Sequence, residues 1–146
     1  MKRTAVALAL CCPGLLAAQA CRVDASPLPF GNYAPARRDA TVVRGDIGIR
    51  CSASAGSDTA ASVVVRIGGE IQRRLRGPGS DGLHYALFQD AALLRPWWGG
   101  ASAAVSLRAG TQRETAVLVP VYARIGAGQW LQPGAYSDAL DVQVEF

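Results

Sequence analysis

The sequence is short of the residues that most enzymes and metal sites require. Its 146 residues include one histidine, His84, and no lysine after Lys2. A lone histidine cannot build a zinc site when the two cysteines of the mature chain are predicted to be bridged. No Gly-x-Ser-x-Gly motif offers a serine nucleophile. We therefore expect no enzyme activity, no catalytic residues, no metal and no cofactor.

The first 20 residues predict a secretory signal peptide. A charged start precedes an apolar stretch, and Ala-Gln-Ala at 18–20 is a small-x-small cleavage site. A membrane anchor is the alternative, but the apolar run is broken at Pro13 and is shorter than the ~20 residues that span a bilayer. Cleavage would leave residues 21–146, the size of one domain.

Few cysteines remain in the mature chain. Cys21 and Cys51 are the two left after the signal, and in an exported protein they predict one disulfide. Two free thiols are one alternative. Lipidation of Cys21 is another, but it would leave Cys51 without a partner. The separation of the two residues argues against redox chemistry.

Net charge is also low. Removing Lys2 and Arg3 from the fifteen basic residues leaves thirteen, all arginine, against eleven acidic residues. A mature chain so near neutrality does not fit a nucleic-acid-binding protein. We interpret the run Arg73, Arg74 and Arg76 as a solvated strand end or loop.

Short stretches of alternating apolar residues recur along the chain and predict strands. They centre on Val43–Cys51, Val63–Ile67, Leu83–Leu87, Val105–Leu107 and Val117–Ile125, and CRVDA at 21–25 is typical of a first strand. Segments rich in Gly, Ser, Asp or Pro separate them. No stretch after the signal has a helical period. This pattern predicts an antiparallel β-sandwich.

The last residues predict a strand with one buried face. Its apolar positions are Leu140, Val142, Val144 and Phe146, with polar residues between them. The sequence printed here offers no further strand after it. We therefore expect this strand to pair elsewhere in the chain, or to lie at a sheet edge with unpaired backbone groups.

Three polar residues could suggest catalysis. Asp90 and Asp138 might form the acid pair of a glycosidase, but both occur at positions typical of turn capping. His84 alternates with Leu83 and Tyr85, and we expect it to be exposed to solvent. We thus interpret the two carboxylates as structural and assign no catalytic role to His84.

The tryptophans allow two interpretations. Trp97, Trp98 and Trp130 could form a sugar-binding platform, which is the basis of a possible ligand contact. The alternative, which we favour, is that these large side chains cover the core of a small sandwich.

Several motifs follow one another in an order that is specific as a set. They are CRVDASPLPFGNYAP at 21–35, GDIGIRC at 45–51, LHYALFQD at 83–90, WGG at 98–100 and VYARIGAGQWLQPGAYSDALDVQVEF at 121–146. Together they resemble the spore coat protein U domain, the pilin-like subunit of archaic chaperone-usher pili. The resemblance covers essentially the whole mature chain. Ala123 and Gly126 depart from the family's usual Tyr-Gly-Arg-Ile-Pro.

The resemblance implies an all-β fold, an incomplete immunoglobulin-like β-sandwich that lacks its final strand. Leu140, Val142, Val144 and Phe146 would line a groove that a strand from another protein fills. The implied partners are a periplasmic chaperone, an outer-membrane usher and neighbouring pilin subunits, with no nucleic acid and no small-molecule substrate. The implied location is the cell surface, in a pilus or coat, after export through the periplasm.

Cleavage before Cys21 would leave almost no extension that the chain could donate to a neighbour. This favours an end position in the fibre, although the family's tip adhesins typically have two domains. A second class of function is a complete secreted binding module that uses Trp97, Trp98 and the loop GAGQW on a ligand. Such a module should be a soluble monomer when it is expressed alone, whereas an incomplete sandwich should aggregate or need its chaperone.

We predict that the exported protein begins at Cys21 and carries the Cys21 to Cys51 bridge. Intact mass before and after reduction and alkylation measures both features. A mass that includes residues 1–20, a diacylglycerol adduct or two freely alkylated thiols would contradict the corresponding part.

Overall fold

A computed structural model describes residues 21–52, 61–107 and 114–146, and the predicted signal peptide lies outside them. The regular structure of the described residues consists of eight strands. They are β1 (Cys21–Ala25), β2 (Thr41–Ser52), β3 (Ala61–Ile67), β4 (Gln72–Leu75), β5 (Leu83–Phe88), β6 (Ser102–Leu107), β7 (Glu114–Ile125) and β8 (Val142–Glu145). Across these described ranges, no helix has the length and apolar character needed to span a membrane.

The strands form two antiparallel sheets. The larger has the order β1-β2-β7-β5-β4, and the smaller has the order β6-β3-β8. One core cluster takes side chains from both sheets, which makes the fold a sandwich. The predicted all-β sandwich is therefore confirmed.

Alternation along the long strands β2 and β7 builds the centre of this core. Ile47 pairs with Val119 and Ile49 with Val117, and paired residues of neighbouring strands face the same side of a sheet. Ile47, Ile49 and Val119 are buried. Arg44, by contrast, points outward and forms an ion pair with a carboxylate on its own strand. Period-two patterning therefore explains which face of this sheet is buried.

A disulfide fastens the outermost strand of the larger sheet. Cys21 pairs with Cys51 in the register of β1 with β2, and their Cα atoms are 4.1 Å apart. The structure confirms the predicted bridge. Among the described residues β1 has one neighbouring strand, β2. The disulfide therefore adds a covalent link to an edge that strand pairing holds on one side.

One short strand was not predicted. Arg73, Arg74 and Arg76 were interpreted as solvated, but β4 pairs with β5 and its alternation turns Arg73 inward. Arg73 is 9% exposed, and its guanidinium donates to the carbonyl of Gly68. The interpretation is wrong for Arg73 and correct for the two exposed arginines.

The disulfide should be a measurable part of the stability. Its two cysteines are 30 residues apart, and closing a loop of that length is worth ~3 to 4 kcal/mol in the chain-entropy model. We predict a loss of this size in the free energy of unfolding when both Cys21 and Cys51 are replaced by alanine, measured by urea denaturation. Reduction of the wild-type chain should give the same loss, and an unchanged urea midpoint in either experiment would contradict the prediction.

Candidate functional site: an open groove beside β8

Strand β8 has a hydrogen-bonding partner on one side only in the described part of the chain. It pairs with β3, and the ladder extends one step further, where the amide of Gly68 donates to the carbonyl of Asp141 at 3.0 Å. In an antiparallel ladder every second residue bonds to the partner strand. This register turns the amide and carbonyl of Val142 and Val144 away from β3, toward the open edge.

The side chains of the closing segment alternate as predicted. Val142 and Val144 are half-buried against the core, and so is Leu140, whereas Gln143 is exposed. Phe146 is 62% exposed. The apolar face of β8 is thus only partly covered, and its cover decreases toward the end of the segment.

Strand β1, in the larger sheet, also has an inward-facing side chain that is incompletely buried. Val23 pairs with Ile49, so both side chains face the same side of the larger sheet. Ile49 is fully buried, whereas Val23 is 41% exposed. The inward face of β1 is therefore only partly covered at Val23.

A groove with a cavity volume of about 1200 Å³ opens next to the open edge of β8. One wall is the segment 26–35, and the other side is formed by residues 129–138 with Leu140 and Val142. Core side chains form an apolar floor: Ile67, Leu75, Leu83, Tyr85, Val121 and Ile125. Of the four predicted groove residues, Leu140 and Val142 line this cavity. Val144 and Phe146 do not.

The wall begins where the chain leaves β1. The hydroxyl of Ser26 donates to the carbonyl of Asp46 and accepts from its amide, at 3.1 and 2.7 Å. The chain then crosses over Gly45, where a Cβ atom would lie 2.8 Å from a methyl carbon of Leu28. Glycine at this position lets Leu28 pack into the core. Pro27 and a second proline two residues later have no amide hydrogen, so this wall cannot offer a full ladder to a strand in the groove.

Aromatic and polar contacts join the wall, the floor and the opposite side. Phe30 meets Tyr85 edge to face, with ring centroids 5.6 Å apart. The hydroxyl of Tyr85 donates to the carboxylate of Asp138 at 2.7 Å. Burial raises the pKa of Tyr85 well above its usual value, and this hydrogen bond raises it further. Tyr85 is therefore a neutral hydrogen-bond donor at physiological pH and links the floor of the groove to the side formed by residues 129–138.

A hydrogen-bond network closes one end of the groove. The hydroxyl of Tyr33 donates to the carbonyl of Gly126 and accepts from the amide of Gln129, at 3.0 and 2.9 Å. The side-chain amide of Gln129 in turn binds both the amide and the carbonyl of His84, at 2.8 and 2.9 Å. His84 was expected to be exposed to solvent, and the structure shows it partly buried. The loop after β7 is thereby tied to both the wall and β5.

The carboxylates interpreted as turn-capping residues occupy that role. Asp90 accepts hydrogen bonds from the amides of Leu94 and Arg95, at 3.1 and 2.8 Å. These bonds, the one from Leu94 first, hold the pKa of Asp90 below its usual value. Asp138 accepts from the amide of Ala139 as well as from Tyr85. Within the described ranges, no group of three or more His, Cys, Asp or Glu side chains could hold a metal ion.

The structure does not give the three tryptophans a common role. Trp97 is fully buried, which fits the interpretation as core cover and leaves its ring out of reach of a ligand. Trp98 is 46% exposed and packs over Gly100, where its ring leaves no room for a Cβ atom. Trp130 is 75% exposed and lines the groove, whereas Trp97 and Trp98 do not.

The fold and the groove together define a class: a β-sandwich whose smaller sheet ends in an open edge beside an apolar groove. The family model of the Spore Coat Protein U domain matches residues 7–143. The chain therefore belongs to the Spore Coat Protein U domain family, as the motifs predicted. Membership places it among structural subunits and not among enzymes. A comparison with curated protein sequences finds no match.

The chain is also similar to a solved structure. This is the crystal structure of the CsuC-CsuE chaperone-tip adhesion subunit pre-assembly complex from archaic chaperone-usher Csu pili of Acinetobacter baumannii. The TM-score is 0.58 at 20% sequence identity, and the alignment covers 88% of this chain and 40% of that chain. At this identity the likeness shows the fold, and this chain spans two fifths of the other chain's length.

The sequence predicted groove residues in the closing segment that contains β8, but it did not predict the rest of the groove lining. The wall residues Leu28, Phe30 and Tyr33 and the loop residue Gln129 were noted only as parts of motifs. The prolines beside Leu28 were a usable signal, because they interrupt an apolar stretch with residues that cannot complete a ladder. No local sequence pattern predicts the hydrogen bond between Tyr33 and the loop, because 93 residues separate Tyr33 from Gly126.

The network at the groove end gives a testable prediction. Gln129→Ala should lower the free energy of unfolding by ~1 to 3 kcal/mol, because it leaves the partly buried amide and carbonyl of His84 unpaired. The matched control is Gln132→Ala, at an exposed position of the same loop, which should change it by less than ~0.5 kcal/mol. Urea denaturation measures the free energy of unfolding of both variants. Equal effects of the two substitutions would contradict a stabilising role for the hydrogen bonds between Gln129 and His84.

Proposed function

We propose that this chain is a structural subunit of a surface pilus or coat, assembled by the chaperone-usher route through donor-strand exchange. In this function a strand from another protein lies in the groove, beside β8, and completes the smaller sheet. The subunit is exported through the periplasm to the cell surface. Its partners are a periplasmic chaperone, an outer-membrane usher and neighbouring subunits.

The observation that carries this proposal is the open edge of β8. The amides and carbonyls of Val142 and Val144 point away from β3, toward the open edge, and the side chains of the same residues face the core. Val142 also lines the groove beside this edge. A strand added at this edge would form main-chain hydrogen bonds to β8, which is the β-strand-addition mode of peptide recognition. The prolines of the wall leave β8 as the principal hydrogen-bonding partner of such a strand.

The floor of the groove determines what the added strand must carry. Ile67, Leu83 and Ile125 present an apolar surface, so alternate residues of the donor should be apolar. Each apolar side chain that becomes buried contributes ~1.5 to 3 kcal/mol. Four or five of them would contribute on the order of 10 kcal/mol before the entropy cost of association. This is enough to explain why assembly would stabilise a subunit that is incomplete alone.

The similarity to the chaperone-subunit complex supports the identity of the first partner. In that solved complex a chaperone is bound to a pilus subunit before assembly. We propose that a periplasmic chaperone occupies the groove first and that a neighbouring subunit then replaces it. If cleavage falls before Cys21, as the sequence predicts, the bridged Cys21 already belongs to β1. Such a subunit would take an end position in the fibre.

Substitutions on the two faces of β8 test the groove. We predict that Val142→Asp or Val144→Asp abolishes co-purification with the cognate chaperone and surface assembly, because an unpaired carboxylate on the core-facing side of β8 costs several kcal/mol. The matched control, Gln143→Asp, places the same charge on the exposed face and should leave both nearly intact. If co-purification with the chaperone and surface assembly are lost in all three variants, the core-facing side of β8 has no special role and the prediction is contradicted.

A general folding defect could imitate the first result, so a gain-of-function control is needed. A donor-strand peptide fused to the C-terminus through a short flexible linker should make the wild-type chain a soluble monomer of raised thermal stability without chaperone. If the fused and unfused chains are equally soluble, monomeric and stable, the sandwich was complete and the chain is a self-contained module.

A further inference from the structure

The loop that closes one end of the groove presents a large side chain with no evident role in the fold. Trp130 is 75% exposed and lines the groove. Tryptophan has one of the largest apolar surfaces of any side chain, and it is common where that surface becomes covered by a partner. The position of Trp130 at the groove mouth therefore needs an explanation outside the isolated sandwich.

The loop around Trp130 is held in place on both sides. Gln129 is tied through its side chain to His84 and through its amide to Tyr33. Leu131 packs against the core, and the carbonyl of Gln132 accepts a hydrogen bond from the hydroxyl of Tyr136 at 2.6 Å. Hydrogen bonds and packing thus hold the residues on both sides of Trp130. Because the loop is already ordered, a partner that covers the indole loses little conformational entropy of the loop.

The other two tryptophans do not share this position. Trp97 is buried in the core, and Trp98 packs over Gly100, outside the groove lining. Trp98 is itself 46% exposed. It therefore provides a matched control for the removal of an exposed indole from this protein.

We propose that Trp130 retains the strand that enters the groove: the indole covers the donor side chain nearest to Tyr33 and slows release of the strand. The inference rests on the proposed function of the groove, and it assigns a role to a residue of the loop opposite the wall. The occupant is an extended segment of another protein with alternating apolar residues, because the free edge beside it belongs to Val142 and Val144 and the floor is apolar.

The test uses the mature chain, refolded at high dilution so that its open edge does not lead to aggregation. The probe is a fluorescently labelled synthetic peptide of about ten residues, alternating threonine and valine, the length of a long strand. We expect Trp130→Ala to release the peptide about tenfold faster than wild type, since interface substitutions act mainly on dissociation. Trp130→Phe should recover most of the loss, and Trp98→Ala should release the peptide at the wild-type rate.

Two further readouts separate retention from a structural role. Tryptophan emission should shift to the blue when the peptide binds wild type or Trp98→Ala, and this shift should be absent in Trp130→Ala. The urea midpoint of the free chain should be the same in Trp130→Ala and wild type, because the exposed ring contributes little to the isolated fold. A lowered midpoint would assign Trp130 to the fold and overturn its role in retention.

The outcomes distinguish this inference from the function on which it rests. If the peptide binds wild type and Trp130→Ala with the same release rate, the role of Trp130 is wrong and the groove still accepts a strand. If no peptide binds the wild-type chain, while the donor-strand fusion also brings no gain in stability, the proposed function itself is wrong.

Discussion

The main-chain groups of β8 that have no partner strand among the described residues are the feature on which the rest of the structure depends. Val142 and Val144 direct their amides and carbonyls toward the open edge and their side chains toward the core, and an apolar groove lined by Val142 lies beside this edge. Unpaired backbone groups are tolerated where water reaches them and are costly when apolar surface covers them. The edge can therefore stay open only while the groove stays open, and filling the groove requires an occupant that brings its own amides and carbonyls. An extended strand satisfies that condition along the whole edge, whereas a small apolar molecule brings no such groups.

The surrounding structure holds this groove in shape without filling it. The bridge between Cys21 and Cys51 fastens β1, from which the wall departs at Ser26. The Tyr33 and Gln129 network ties the far part of the wall to the loop after β7. These contacts are made at the ends and sides of the groove, so none of them needs to break when a strand enters. A preorganised site of this kind loses less entropy on binding than one that must form around its partner.

Long alternating runs of apolar residues predicted the fold better than short runs did. Long alternating runs such as those of β2 and β7 predicted their strands and buried faces, because the two faces of a half-buried sheet impose a period of two. Strand β4 was missed because it has four residues, two of them arginines, and its existence depends on pairing with β5. The alternation of β8 was predicted from its residues, whereas pairing within the chain and a position at a sheet edge were both left open, and the groove was implied by the family resemblance. The wall at 26–35 was not, since its position follows from the crossing over Gly45 and from contacts far apart in sequence. The sequence motifs placed the chain in its family, but only the three-dimensional arrangement brought Trp130 and Tyr33 to the same groove.

The most direct test of the central claim is amide hydrogen exchange along β8, with and without a donor strand. In the unaided mature chain the amides of Val142 and Val144 should exchange rapidly, while the amide of Gln143, which bonds to β3, should be protected. In the chain that carries the fused donor strand all three amides should be protected. Protection of Val142 and Val144 in the unaided monomer, or rapid exchange of both in the complemented chain, would contradict the account.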